Sequence, residues 1–280
     1  MKAAVVILEA TSCLGGAVVE AAAETGRAVV AVGSNAAELA RLKHEYPNAN
    51  LTTLRGSIAD EAGCGAIAAQ LRALARPLAG IVVAKVADKP RGRVIEQSPE
   101  VLRTVLEAEL LPHLAAARAL VPVIGERGRN ASYVVIGGPG GEQPWAGYGL
   151  KSIAAASVSM LLRVLHDEAR ALGVRVQLLA VEKPARTGRE GEHACAHWPS
   201  AVAIGRRALE LVDQVDTREP AAAIVRFAPS EFPALPPRPV APGRVAPSRP
   251  RDASVFAAPP APGLDDTWAM LKPLLTSESK

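Results

Sequence analysis

The first thirty-five residues constrain this chain more than any other stretch. Lys2–Asn35 reads KAAVVILEATSCLGGAVVEAAAETGRAVVAVGSN. Ala3–Leu8 is a continuous apolar run, too short for a stable helix and of the length of a strand buried on both faces. Ala10–Gly16 is a stretch of small residues, and its Gly15-Gly16 pair leads into an alanine-rich helical segment over Ala17–Thr25. Gly26 stands where a helix stops, and Ala28–Val32 is a second apolar run. Two buried strands joined by a helix pair in parallel and cross over right-handed, so the chain opens with a βαβ unit.

The same alternation runs on. Asn35 followed by Glu38 caps a helix that reaches Tyr46, and Pro47-Asn48 ends it. Leu51–Leu54 is a strand, Asp60–Ala75 a helix stopped by Arg76-Pro77, and Gly80–Ala84 a strand. A charged loop, Asp88–Gln97, precedes Ser98-Pro99-Glu100, a cap with proline at the first helical position. The long helix that follows runs to Val123 and carries Pro112, which interrupts it. Ser132–Ile136, Val174–Val181 and Ala222–Phe227 are strands; Gly149–Leu172 and Ser200–Val212 are helices. Seven strands alternating with six helical segments predict an α/β fold: a Rossmann-type doubly wound, mostly parallel sheet with helices on both faces, over residues 1–227.

Composition then bounds what such a chain does. Apolar residues make up 49% and aromatics 3%, so the core is alanine, valine and leucine. The net charge of +4 is mild, much of it lies near the C-terminus, and no basic stripe is interleaved with aromatics, which argues against nucleic-acid binding. No window approaches ~18 uncharged apolar residues, the length of a membrane span. The apolar run before Glu9 is too short for a secretory signal. Cys13, Cys64 and Cys195 form neither a CxxC pair nor a disulfide framework, which places the expected home in a reducing cytoplasm. His193, Cys195 and His197 alternate in GEHACAHW without a fourth ligand at a characteristic spacing; this reads as a substrate-side lid, and no metal site is assigned. Residues 228–263 hold eleven of the 23 prolines and read as an extended segment, either a tail or a proline-rich partner ligand. Residues 264–280 carry a short helix with Trp268, Leu271 and Leu275 on one side.

A glycine pair opening the first helix of an N-terminal βαβ unit is where a dinucleotide-binding fold carries its phosphate loop. The order and spacing of elements from Ala3 to Phe227, and above all GYGLKSIAAASVSMLLRVLHDEARALGVRVQLLAVEKPARTG, resemble the short-chain dehydrogenase/reductase family. The resemblance implies an NAD(P)(H)-linked oxidoreductase of the carbonyl reductase or alcohol dehydrogenase type, acting on a small molecule. It also implies a homodimer or homotetramer, built on the helix from Ser98 and the helix carrying Ala154, Ala155, Ala156, Ser157 and Ser159.

Carried over residue by residue, the family pattern is much altered. Its phosphate loop, TGxxxGxG, falls on Leu8–Gly15, where Glu9 and Cys13 replace two glycines and Gly15 survives; Ser12 and Gly15 are the remaining cradle. Ser34 and Asn35 stand where an acid selects NAD or an arginine NADP, so NADP and NAD both stay open. Ser57 replaces the aspartate against the adenine, Val83-Ala84-Lys85-Val86 the NNAG motif, Glu109 the relay asparagine, and Val181-Glu182 a Pro-Gly pair. Thr187 matches the threonine that touches the carboxamide. The catalytic serine is missing after the fifth strand, which ends in Gly137-Gly138. Lys151 is retained, but its i−4 partner is Gly147 and the tyrosine is Tyr148, at i−3. On a helix, positions three and four apart differ by about −60° and +40°, so Tyr148 keeps its side of the helix with a changed aim. Two readings follow. In one, Tyr148 is the acid and Lys151 its electrostatic partner and ribose anchor. In the other, the chain is catalytically silent and serves as a binding, regulatory or dimerisation scaffold.

Overall fold

A computed structural model describes residues 3–74, 76–85, 92–126, 131–188, 195, 197–214 and 221–228. All belong to one compact unit, Met1–Ala234. The proline-rich segment, the C-terminal helix and His193 lie outside the described residues, as does the start of the Asp88–Gln97 loop.

Seven strands form one parallel sheet: β1 (Ala4–Leu8), β2 (Val29–Gly33), β3 (Leu51–Arg55), β4 (Leu78–Val83), β5 (Ala131–Ile136), β6 (Val174–Ala180) and β7 (Ile224–Arg226), in the order β3-β2-β1-β4-β5-β6-β7. Every pairing is parallel, with Val5 opposite Val29 and Val6 opposite Ile81 on the two sides of β1. The doubly wound sheet is thus observed, and the strand order reverses between β1 and β4, the place where such sheets bind ligands beyond their carboxyl ends.

The continuous apolar runs are explained by burial on both faces. Val5 and Ile7 of β1 join one core with residues of α1 (Cys13–Glu24), α2 (Ala36–Glu45) and α7 (Ala201–Asp213). Ala4, Val6 and Leu8 join the other, with residues of α3 (Glu61–Ala73), α5 (Leu111–Gly125) and α6 (Gly149–Glu168). With a period of two, a strand covered on both sides sends alternate residues into two cores, and a polar residue that does stand in such a strand can be paired, as Arg175 of β6 is when it donates to the Ser132 hydroxyl of β5 at 2.6 Å.

The single long helix expected from Ser98 is two. α4 (Pro99–Glu109) ends at Leu110 and α5 begins at Leu111. Pro112 has no N–H to donate and its ring crowds the preceding turn, which is sufficient to part the two helices. The break has a consequence for the site, because Glu109 and His113 flank it. Among the described residues, Pro99–Gly125 is the one stretch long and apolar enough to cross a membrane by composition, and half of it is buried in the fold.

Candidate active site

The turn between β1 and α1 keeps the backbone of a phosphate loop while losing its glycines. Glu9 is the one non-glycine residue with positive φ among the described residues, at +57°. That left-handed conformation favours glycine, so the replacement changed the side chain and left the path of the chain. Gly15 is held by packing: a Cβ there would lie 2.1 Å from the Glu9 carbonyl oxygen. Ser12 is the N-cap of α1; its hydroxyl accepts from the Gly15 N–H at 2.9 Å and donates to the Ala84 carbonyl at 2.9 Å, which ties the loop to the end of β4. The Glu9 carboxyl is half-buried, and burial holds its pKa above the ordinary value, partly offset by the nearby Lys85 charge.

A cavity of about 280 Å³ opens beside this turn, lined by Ser12 and Cys13 of the loop, Arg41 of α2, and Arg186 and Thr187 beyond β6. At the end of β2, Asn35 caps α2, accepting from the Ala37 and Glu38 N–H groups at 2.9 and 3.4 Å. The Ser34 carbonyl accepts from the Arg55 guanidinium at 3.3 Å, and the Ser57 hydroxyl accepts from the Ala59 N–H at 3.1 Å. Ser12, Asn35 and Ser57 therefore have local structural work, while Gly15 and Thr187 stand at the cradle and the first cavity.

A second cavity, of about 60 Å³, lies where β4, β5 and β6 end. Its polar lining comes from Lys85 after β4, Glu109 at the end of α4, His113 in α5, and Lys151 and Ser159 in α6. Val135, Val158, Leu178 and Ile224 supply an apolar wall. Gly138, where the family serine would stand, also lines it; a Cβ there would sit 4.0 Å from the Lys151 Nζ. Glu182 borders the same space, its pKa raised by burial and by the neighbouring Glu142 and lowered in part by Arg226. Arg226 donates to Glu142 through Nε at 3.0 Å.

Tyr148 is the N-cap residue of α6 and is not among the residues lining either cavity described. Its ring stacks on Trp145 with centroids 4.4 Å apart and planes at 24°. The Lys151 ammonium lies 4.5 Å from the Trp145 ring centre, a cation–π contact. Tyr148 and Lys151 are thus brought together through Trp145. Gly147, four residues before Lys151, has φ +74°, a conformation that a tyrosine would strain. The aromatic stands one residue further on, at Tyr148.

His113 was not singled out as a functional residue by the sequence, and Lys85 figured there only as part of the altered NNAG motif. Nothing local distinguishes a histidine three residues into an alanine-rich helix. The available signal was spacing: Glu109 and His113 are four apart, one helical turn, across a proline. Among the described residues, no group of three His, Cys, Asp or Glu is placed to hold a metal. Cys195 is exposed and unpaired in any disulfide.

A parallel doubly wound sheet with a glycine-bearing turn at its first helix and a lysine-lined cavity at the ends of its central strands defines a Rossmann-type α/β protein. The model of the short chain dehydrogenase family matches residues 3–187, more than half of the chain. The chain belongs to the short-chain dehydrogenase family. Among solved structures, it is similar to a short-chain dehydrogenase from Streptomyces avermitilis at 23% identity and TM-score 0.66, with 82% of this chain and 89% of that one covered. It is similar to a short chain oxidoreductase from Pseudomonas aeruginosa PAO1, solved with NADPH and containing an atypical catalytic center: 21% identity, TM-score 0.65, 75% of this chain and 89% of that one. L-sorbose reductase from Gluconobacter frateurii, complexed with NADPH and L-sorbose, matches at 18% identity and TM-score 0.62 over 75% of this chain and 88% of that one. No curated protein matches the sequence.

The residues present fit a nicotinamide dinucleotide in backbone and oppose it in charge. The turn has the left-handed residue and the close approach at Gly15 that a pyrophosphate cradle needs. Arg41 and Arg186 put cations on the adjoining cavity, but Glu20, Glu38 and Glu45 line it as well, and Glu9 puts a carboxyl at the turn itself.

Proposed function

We propose that this protein is an NAD(P)(H)-linked oxidoreductase of the carbonyl reductase or alcohol dehydrogenase type, with a catalytic centre rebuilt around Lys151. One observation carries the reading: Lys151 shares a cavity with Lys85, Glu109 and His113 at the ends of the central strands, a short step along the sheet edge from a turn of phosphate-loop geometry. A bound NADPH or NADH supplies the hydride. Ser12, Gly15, Ser34, Asn35, Ser57 and Thr187 would hold such a cofactor, and Arg41 and Arg186 would meet its anionic part against the opposing charge of Glu20, Glu38 and Glu45. Lys151 anchors the ribose and supplies charge for the developing alkoxide, while Tyr148 acts on it through Trp145. The Pseudomonas neighbour, with NADPH and an atypical catalytic center, supports the idea that cofactor binding and catalytic set vary separately within this fold. The test is calorimetric titration of the full chain with NADPH and then NADH. Micromolar binding supports the reading; no heat at millimolar cofactor refutes it.

The carboxyl at Glu9 and the engagement of Ser12 in capping favour a second reading, a silent scaffold, which robust NADPH-dependent reduction of a carbonyl panel would sink. Both readings share an assembly. Leu111 and Leu114 of α5 and Ile153, Met160 and Val164 of α6 are large exposed apolar residues on the helices that the resemblance assigns to a homodimer. Sedimentation of the wild type as a monomer, or no change of mass in Met160→Glu, would remove that assignment.

A further inference from the structure

His113 is a buried polar group that the family's catalytic set does not use. It is 7% exposed, and its Nδ1 has no hydrogen-bond partner among the described residues. It lines the second cavity together with Lys85, Glu109 and Lys151. Burial, and next the Lys85 charge, lower its pKa to about 4, so the ring is neutral at pH 7. A neutral imidazole carries one donor and one acceptor nitrogen; Nδ1 is sealed inside the fold, so what the ring offers the cavity it lines is its other edge. The cavity, about 60 Å³, has room for a few waters or for the oxygen-bearing end of a small molecule. Val135, Val158, Leu178 and Ile224 form an apolar wall that suits a short alkyl chain, with Glu142 and Glu182 at another part of the lining.

We propose that His113 is the substrate-binding residue of this cavity and donates a hydrogen bond to the oxygen of a small aliphatic ketone or aldehyde. This rests on the oxidoreductase reading, with NADPH or NADH as the reductant. His113 takes over the oxygen-holding task of the serine and tyrosine whose places are occupied by Gly138 and Gly147. A bound NADPH or NADH would give up hydride from a C–H bond of its reduced ring and end as NADP or NAD; at the carbonyl carbon a C–H bond forms and the C=O π pair moves onto oxygen. That oxygen takes a proton from the Lys151 ammonium, and the resulting amine is reprotonated from solvent. His113 holds the oxygen throughout and gives up no proton. A neutral imidazole is suited to this, because it polarises a carbonyl without an imidazolium's cost of burial.

The experiment uses full-length protein carrying ¹⁵N-labelled histidine, with butan-2-one as the probe. The His113 imidazole signal, assigned by its loss in His113→Gln, is expected to move and saturate as the ketone is added without cofactor. An unmoved signal at high millimolar ketone overturns the proposal. In parallel, NADPH-dependent reduction of butan-2-one is followed in His113→Leu and His113→Gln. The leucine variant should lose about 100-fold in kcat/KM, the scale of one lost oxyanion donor, and the glutamine variant less than about 10-fold, with NADPH affinity unchanged in both. Equal turnover in His113→Leu overturns the proposal. If His113→Leu does not fold, His113→Gln and the imidazole titration still decide it. If NADPH does not bind at all, the oxidoreductase reading fails, and the imidazole titration alone decides for or against His113.

Discussion

Replacing Glu9 by glycine should raise both stability and cofactor affinity, and the two gains have separate causes. At φ +57° the glutamate backbone sits in the left-handed region. That conformation costs a non-glycine residue about 1–2 kcal/mol, which Glu9→Gly removes. For a domain of this size each kcal/mol is worth about 2–4 °C in Tm, so the variant should melt higher by roughly 2–8 °C. The affinity gain is electrostatic. A unit negative charge ~4 Å from a phosphate is repelled by about 1 kcal/mol in water and about 4 kcal/mol at an effective dielectric of ~20. Lys85 offsets part of this, since its charge already acts on the Glu9 carboxyl. A gain of about tenfold in NADPH affinity, worth ~1.4 kcal/mol, is the expected outcome. Glu9→Ala separates the causes: it removes the charge and keeps the left-handed strain, so it should gain affinity with little gain in Tm. The assays are calorimetric titration and thermal unfolding of all three proteins. A Tm for Glu9→Gly at or below wild type would refute the strain argument. Identical affinity in all three would refute the charge argument.

Other predictions follow from the same geometry. Gly15→Ala puts a Cβ 2.1 Å from the Glu9 carbonyl oxygen, so the turn must shift; the variant should lose stability by about 1–3 kcal/mol in denaturant unfolding, together with cofactor binding. His113 has a folded pKa of about 4 against an ordinary 6.5, so below pH 6.5 the unfolded chain binds a proton that the folded one refuses. Wild type should therefore lose on the order of 3 kcal/mol between pH 6.5 and 4 that His113→Leu does not lose; Glu109 and Lys85 remain in both and cancel in the difference of the two pH–Tm curves. Burial raises the Glu9 pKa, so acidification neutralises it above the usual carboxylate range. NADP affinity should rise as the pH falls toward 5 in wild type and stay flatter in Glu9→Gly. Tyr148→Phe keeps the ring stacked on Trp145 and should leave reduction close to wild type if Tyr148 acts through that contact; a loss of ~10² or more would make its hydroxyl the acid.

The sequence by itself determined the fold. Runs such as AVVIL and LAGIVV are apolar at every step because both faces of the sheet are covered, and local burial is written directly into local composition. It also located the cradle at Glu9–Gly15 and Lys151 at the head of α6, since both sit at fixed offsets from strand and helix ends. Only the tertiary structure decided which side chains meet. Lys85, Glu109, His113 and Lys151 come from four elements, and their common cavity depends on right-handed crossovers and on how α4, α5 and α6 dock, which no local period encodes. The left-handed backbone at Glu9 and the close approach of Gly15 to its carbonyl belong to the folded turn, the stacking of Tyr148 on Trp145 beside the left-handed Gly147 to the start of α6, and the parting of α4 from α5 to the missing N–H of Pro112. In each case a contact or a steric limit between chosen neighbours overrides what the residue would do alone, which is why the site was less legible than the fold that carries it.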